Sequence, residues 1–145
     1  QQAERTMREW VARDEFAPVY ELLTSFPGVA MVTAATVLAE IGDFTRFKDA
    51  KAIGRYAGLN PRVFASGGKQ RTGHIAKTGS AHLRWILQQA AWTAIRTDEN
   101  ARRVFLRIAK RAGRQAAAVA VARKLLTWMW SAVTKGETYH SRPAA

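Results

Sequence analysis

Seven apolar residues in one segment of the chain recur at the spacing of an α-helix. They occupy positions i, i+3, i+4, i+7, i+8, i+11 and i+12 and are Leu83, Ile86, Leu87, Ala90, Ala91, Ala94 and Ile95. Such a stripe covers one side of a helix, and that side must be buried against other elements. The pattern therefore predicts a helix that packs against the rest of the domain.

Helix signals continue through most of the remaining sequence. We predict further helices over residues 16–25, 29–41, 48–57, 101–112 and 115–134, most of them followed closely by a glycine that can end a helix. No alternating run is long enough to found a sheet, and the glycine-rich stretch 65–79 is predicted to form a loop or a short hairpin. The predicted fold class is all-α, a compact domain of several helices.

Length and composition indicate one domain with flanking segments. A chain of 145 residues suits a single hydrophobic core. Residues 1–15 are highly charged and are predicted to be the end of a coiled coil or linker helix, residues 16–139 the domain, and residues 140–145 a disordered tail. The sequence starts at Gln1, so we expect a piece of a longer protein. It shows no membrane span, signal peptide or cysteine, which favours a cytoplasmic, nucleoid-associated protein.

The charge distribution points to an anionic partner. The formal net charge is +12, and no acidic residue lies between Asp49 and Asp98. Eight cations fall inside that gap: Lys51, Arg55, Arg62, Lys69, Arg71, Lys77, Arg84 and Arg96. A second acid-free run extends from Asn100 to Gly136 and is again rich in arginine. Because charges of one sign repel each other, such a field is typical of proteins that bind nucleic acid.

Two predicted helices meet at Pro27-Gly28 and resemble a helix-hairpin-helix unit. In such a unit the glycine lets the backbone approach a DNA phosphate, which the first N–H groups of the next helix then bind. An ordinary turn between two helices, in which Gly28 only satisfies backbone geometry, explains the same residues equally well.

The glycine-rich stretch offers a candidate nucleophile among cations. Its members are Ser66, Gly67, Gly68, Lys69, Arg71 and Lys77, followed by Arg84 in the next helix. A serine hydroxyl becomes an effective nucleophile when cations stabilise the charge on its target and a base takes its proton. Spacing alone favours a simpler interpretation, a loop whose cations contact the phosphate backbone. The three histidines lack the spacing of metal ligands, and Trp85, Trp92, Trp128 and Trp130 are predicted to lie in the core.

The order of motifs along the chain resembles a known family. The matching segments are Leu22-Leu23-Thr24-Ser25-Phe26-Pro27-Gly28-Val29, Leu38-Ala39-Glu40-Ile41-Gly42-Asp43, Tyr56-Ala57-Gly58-Leu59-Asn60-Pro61, Ser66-Gly67-Gly68-Lys69, His74-Ile75-Ala76-Lys77-Thr78-Gly79 and Leu83-Arg84. Together they are similar to the C-terminal transposase domain of the bridge-RNA-guided insertion-sequence transposases, also called DEDD transposases. The resemblance extends from about Leu22 to Tyr139, nearly the whole chain.

The resemblance implies a role for each part of the glycine-rich stretch. Ser66 stands where the family has its nucleophile, which links covalently to DNA, while Lys69 and Arg71 would neutralise the phosphate. Lys77 and Arg84 would hold the DNA strand or a guide (bridge) RNA. Magnesium would be bound by a separate acidic RuvC-like domain of the same or another subunit, so no cofactor is expected in this chain. The full-length protein is expected to be a homo-oligomer.

Two other classes of protein fit the same residues. The first is a non-catalytic helix-hairpin-helix module that binds DNA and does not need Ser66. The second is a basic RNA-binding or ribosome-associated helical protein, in which the basic helix over residues 101–112 does most of the binding.

Overall fold

The computed structural model describes residues 1–66, 69–75 and 80–139, with the backbone alone over residues 62–66 and 69–75. Its helices are α1 Gln2–Val11, α2 Ala17–Thr24, α3 Met31–Ile41, α4 Ala50–Ala57, α5 Ala81–Thr97, α6 Glu99–Ala112 and α7 Arg114–Lys135. One 3-10 turn, Phe44–Arg46, lies between α3 and α4, and two strands, β1 Pro61–Ser66 and β2 Lys69–Ile75, lie between α4 and α5. The predicted all-α fold class is confirmed.

Helix α5 packs against other helices, as its apolar stripe predicts. All seven stripe residues are buried, and α5 packs against α3, α6 and α7. Helix α7 presents a largely small-residue face that includes Ala117, Ala118, Val121 and Ala122, all buried. Small side chains let helix backbones approach closely, so α7 can contact α2, α4, α5 and α6 at once. Although α7 has 22 residues, no helix in the described part of the chain has both the length and the apolarity to cross a membrane.

Helix α1 packs onto the domain through its narrow apolar seam. Val11 is buried, and Met7 and Trp10 pack against the core. The Trp10 ring lies 4.4 Å from the Phe16 ring at the start of α2. The interpretation of residues 1–15 as the end of a coiled coil or linker helix remains a prediction.

The hairpin is longer than the sequence indicates. The glycine-rich stretch predicts a loop or hairpin that begins at residue 65, whereas strand pairing already starts at Pro61, which lies opposite Ile75. Strands β1 and β2 have six and seven residues and lie on either side of Gly67-Gly68 in the sequence. They pair as an antiparallel hairpin, which is typical of two extended segments joined by a short glycine-containing connection. No helix in the described part of the chain packs extensively against either strand.

Candidate nucleic-acid interface

The hairpin brings three of the predicted site residues together. The strand register places Ser66 directly opposite Lys69 and Phe64 opposite Arg71. Gly67 and Gly68, which join the strands, and Lys77 lie outside the described residues. The backbone of the candidate nucleophile is therefore paired with the backbone of a lysine at the end of the hairpin where the chain reverses.

The residue before the hairpin is attached to a helix by a side-chain hydrogen bond, and Ser80 caps the helix that follows the hairpin in the sequence. On the α4 side, the amide nitrogen of Asn60 donates to the carbonyl oxygen of Lys51 at 2.9 Å. A Cβ on Gly54 would overlap the side-chain oxygen of Asn60, so this close contact requires glycine at position 54. On the α5 side, the Ser80 hydroxyl caps the helix by accepting from the Leu83 N–H at 3.1 Å. Serine is among the residues preferred at this capping position, whereas the residue type of Asn60 gives no sign of its contact with α4.

The two remaining residues that the sequence predicts to contact nucleic acid, Arg84 and Gly28, lie at different levels of α5. Arg84 is half-buried in the first turn of α5, directly after the hairpin segment. Gly28 lies in the turn between α2 and α3, against Ala90 of α5. At about 1.5 Å of rise per residue, Ala90 is roughly 9 Å further along the helix axis than Arg84. The fold thus places Arg84 and Gly28 at different levels of α5.

The structure gives Gly28 a packing role. Its φ is +79°, and a Cβ built at this position would overlap the carbonyl oxygen of Ala90. Glycine is therefore required here by contact between the turn and α5, whatever else the turn binds. Helix α3 begins at Met31 without a side-chain cap, since Ala30 precedes it, so its first N–H groups have no side-chain acceptor from the capping residue.

Most cations in the described residues have no carboxylate partner. Ion pairs there join Arg5 to Glu9 and Arg102 to Glu99, both partly exposed. Two further arginines lie over aromatic rings. Arg46 is 4.4 Å from the Phe47 ring centre and 4.7 Å from that of Tyr56, and Arg114 lies over Trp92 and Phe105. These contacts fix the guanidinium groups in place without neutralising their charge.

Trp85 is exposed, which corrects the prediction that it belongs to the core. It shows 56% of its surface, and its ring stacks beside that of His82 at 6.3 Å between centres. The reason is its angular position: the buried stripe of α5 includes Leu83, Ile86 and Leu87 but excludes residue 85. Trp92, Trp128 and Trp130 pack against the core as predicted.

Among the described residues, no group of three or more histidine, aspartate or glutamate side chains is arranged to hold a metal ion. Asp98, the one buried acid among these residues, accepts two hydrogen bonds from within the protein. It accepts from the Ala101 N–H at 3.0 Å and from the Tyr139 hydroxyl at 2.8 Å. The described part of the domain can therefore supply cations and backbone N–H groups to an anionic ligand, but no carboxylate cluster.

Comparison with known proteins gives one family. Residues 20–106, more than half of the chain, match the model of the "Transposase IS116/IS110/IS902 family". A transposase for insertion sequence element IS1111A from Coxiella burnetii is 34% identical over 119 residues, which cover 79% of this chain and 33% of the relative. A protein of insertion element IS110 from Streptomyces coelicolor is 30% identical over 132 residues, which cover 90% of this chain and 33% of the relative.

A shorter match is closer in sequence. The mini-circle putative transposase for IS117 from Streptomyces coelicolor is 52% identical over 54 residues, covering 37% of this chain and 13% of that protein. The chain spans about a third of the length of the curated relatives matched over most of its residues.

Proposed function

The chain belongs to the IS116/IS110/IS902 transposase family, and on this premise we propose that it is the DNA-binding and catalytic-serine domain of a transposase. The observation that carries the proposal is the register of the hairpin, in which Ser66 lies opposite Lys69. A nucleophile and a cation at one end of a hairpin can meet the same phosphate group. Among the described residues, no helix packs extensively against the hairpin strands, which supports the approach of a DNA strand there.

The proposed chemistry is a transfer of a phosphodiester from DNA to serine. The Oγ of Ser66 attacks the phosphorus, a serine–phosphorus ester forms, and the bond from phosphorus to one strand's oxygen breaks. The serine proton passes to a base, and the leaving oxygen gains a proton. Lys69 and Arg71 would stabilise the negative charge that builds on the phosphate oxygens during this step. Gly67 and Gly68 would let the phosphate approach without obstruction by side chains.

Residues outside the hairpin strands would bind the nucleic acid backbone. The uncapped start of α3 supports a helix-hairpin-helix-like contact, in which N–H groups after Gly28 bind a DNA phosphate. Arg84 and Lys77 would hold the DNA strand or a guide RNA next to the hairpin. Magnesium and the proton acceptor would come from an acidic RuvC-like domain of the same or another subunit. The full-length protein would act as a homo-oligomer at the nucleoid.

The test is covalent trapping on DNA by the complete transposase. With wild-type protein, magnesium and any required RNA, we expect a protein–DNA adduct on a denaturing gel. Ser66→Ala should abolish the adduct and recombination, because the attacking atom is gone, while folding and DNA affinity stay nearly unchanged. An adduct that persists in Ser66→Ala would assign the nucleophile to another residue.

Ser80→Ala is the matched control, because it removes the same hydroxyl from a nearby serine. Its hydroxyl caps α5, so the variant should lose about 1 kcal/mol of stability and still form the adduct. If the wild-type protein forms no adduct under any condition, the domain is a DNA-binding module without serine chemistry.

A further inference from the structure

One face of α6 carries a row of exposed cations. Arg103, Arg107 and Lys110 are all exposed and stand at i, i+4 and i+7, the spacing that puts residues on one side of a helix. The opposite side of α6 is fixed to the core, where Ala101 and Phe105 are buried. We call these three residues the α6 basic face. Packing of the buried side orients this face toward solvent.

The three cations have no carboxylate partner in the described part of the chain. The only acid within α6 is Glu99, which pairs with Arg102, and no acid occurs in the sequence from Asn100 to Gly136. Like charges at i, i+4 destabilise a helix. A helix selected only for stability would place acids among them, so the unpaired row favours an anionic partner.

We propose that the α6 basic face is a second DNA-binding surface, which holds the phosphate backbone of duplex DNA separately from the hairpin. Arg103 and Lys110 are seven residues apart, or about 10 Å along the helix. Duplex DNA presents roughly six phosphate charges over that length, so each cation can reach one. Backbone contacts of this kind position DNA and carry no base readout.

Leu106 belongs to the same surface. It lies between the cations, is 54% exposed, and offers an apolar contact to deoxyribose. A single exposed leucine is too small to found a protein interface by itself, and the charged residues nearest to it along α6 are cations. Charge complementarity therefore favours a phosphate backbone, and the choice of DNA as the occupant rests on the proposed function in a transposase. The α6 basic face takes no part in the reaction proposed at Ser66, so its role in binding is separate from that chemistry.

The test compares two triple variants that remove the same charge. One replaces Arg103, Arg107 and Lys110 with glutamine, and the control replaces Arg5, Arg8 and Arg13, which are exposed among acids near the N-terminus. Glutamine has a helix propensity close to that of both cations, so the helices should survive, which circular dichroism checks. Affinities for random-sequence duplex DNA and for a structured RNA are measured over a salt series with residues 1–145.

The expected result is a difference in salt dependence. Loss of three phosphate contacts should lower the magnitude of the log–log slope by about 2–3 in the α6 variant, and by less than about 1 in the control. Equal changes in both variants, or none in the α6 variant, would overturn the proposal. A loss confined to structured RNA would overturn its assignment to DNA. The measurement needs no chemistry at Ser66, so a failed adduct experiment leaves its result standing.

Discussion

Single residues in this domain are selected by contacts that lie far away in the sequence, and Gly28 is the clearest case. Its positive φ disfavours any side chain, and the carbonyl of Ala90 occupies the space that a Cβ would take. The turn between α2 and α3 is thereby held against the middle of α5. A substitution at this position changes the helix packing before it changes any contact with DNA.

We expect Gly28→Ala to lower the free energy of unfolding by about 2–4 kcal/mol, through left-handed strain and overlap with Ala90. Chemical denaturation with circular dichroism measures the loss. Gly136→Ala is the matched control, because Gly136 has a φ of +70° and no atom within 4 Å of a built Cβ. It should lose only about 1–2 kcal/mol. Equal losses in the two variants would show that Ala90 can move aside at little cost.

Helices α4, α5 and α6 each begin with a residue whose side chain accepts a hydrogen bond from the backbone N–H three residues later. Asp49 accepts from the Ala52 N–H at 2.8 Å, Ser80 from Leu83, and Asp98 from Ala101. Asp98 differs because it is buried and also accepts from the Tyr139 hydroxyl. It therefore caps α6, the helix of the basic face, and holds the chain after α7.

Asp98→Ala should cost about 2–3 kcal/mol, since it removes a buried cap and leaves the half-buried Tyr139 hydroxyl without its acceptor. Asp49→Ala, an exposed cap of the same chemistry, should cost only about 1 kcal/mol. Asp98→Asn keeps an acceptor oxygen and should recover most of the loss. Thermal or chemical unfolding of the three variants decides. Equal costs for the two alanine variants would mean that the bond to Tyr139 contributes nothing.

For the whole molecule, Tyr139 connects elements that are distant in sequence. Its backbone N–H donates to the Ser25 hydroxyl at 2.9 Å, and its own hydroxyl accepts from Asn100 at 3.0 Å. Its ring lies 4.7 Å from that of Phe26 and 5.6 Å from that of Trp128. One residue after the last helix thus fastens α2, α6 and α7 together.

Burial raises the pKa of the Tyr139 hydroxyl to about 12, and tyrosine in an unfolded chain ionises near ~10. The folded protein therefore keeps this proton where the unfolded chain has lost it. The stability from neutral Tyr139 is complete below about pH 10 and is lost as the pH rises to about 12. The difference in unfolding free energy between wild type and Tyr139→Phe should shrink across that window. A difference that stays constant there would contradict the raised pKa.

Much of the candidate site could be predicted from the order of residues alone. Spacing and glycine content single out the stretch around Ser66, and family resemblance assigns the serine its expected role. The bond from Asn60 that ties the hairpin to α4 could not be predicted, because it depends on Gly54 lying against that side chain. The exposure of Trp85 could be predicted from the helical period of α5, because residue 85 lies outside the buried stripe. Its apolar aromatic side chain had suggested a core residue.

Features that depend on near neighbours follow from the order of residues. Helical periodicity predicts the buried stripe of α5, and serine directly before this helix is a residue type that caps helices. Tertiary structure alone decided that Gly28 meets Ala90, that Tyr139 reaches Asp98, and that the α6 basic face stays unpaired. Local patterns constrain only a few residues on either side, whereas these contacts depend on how whole helices pack.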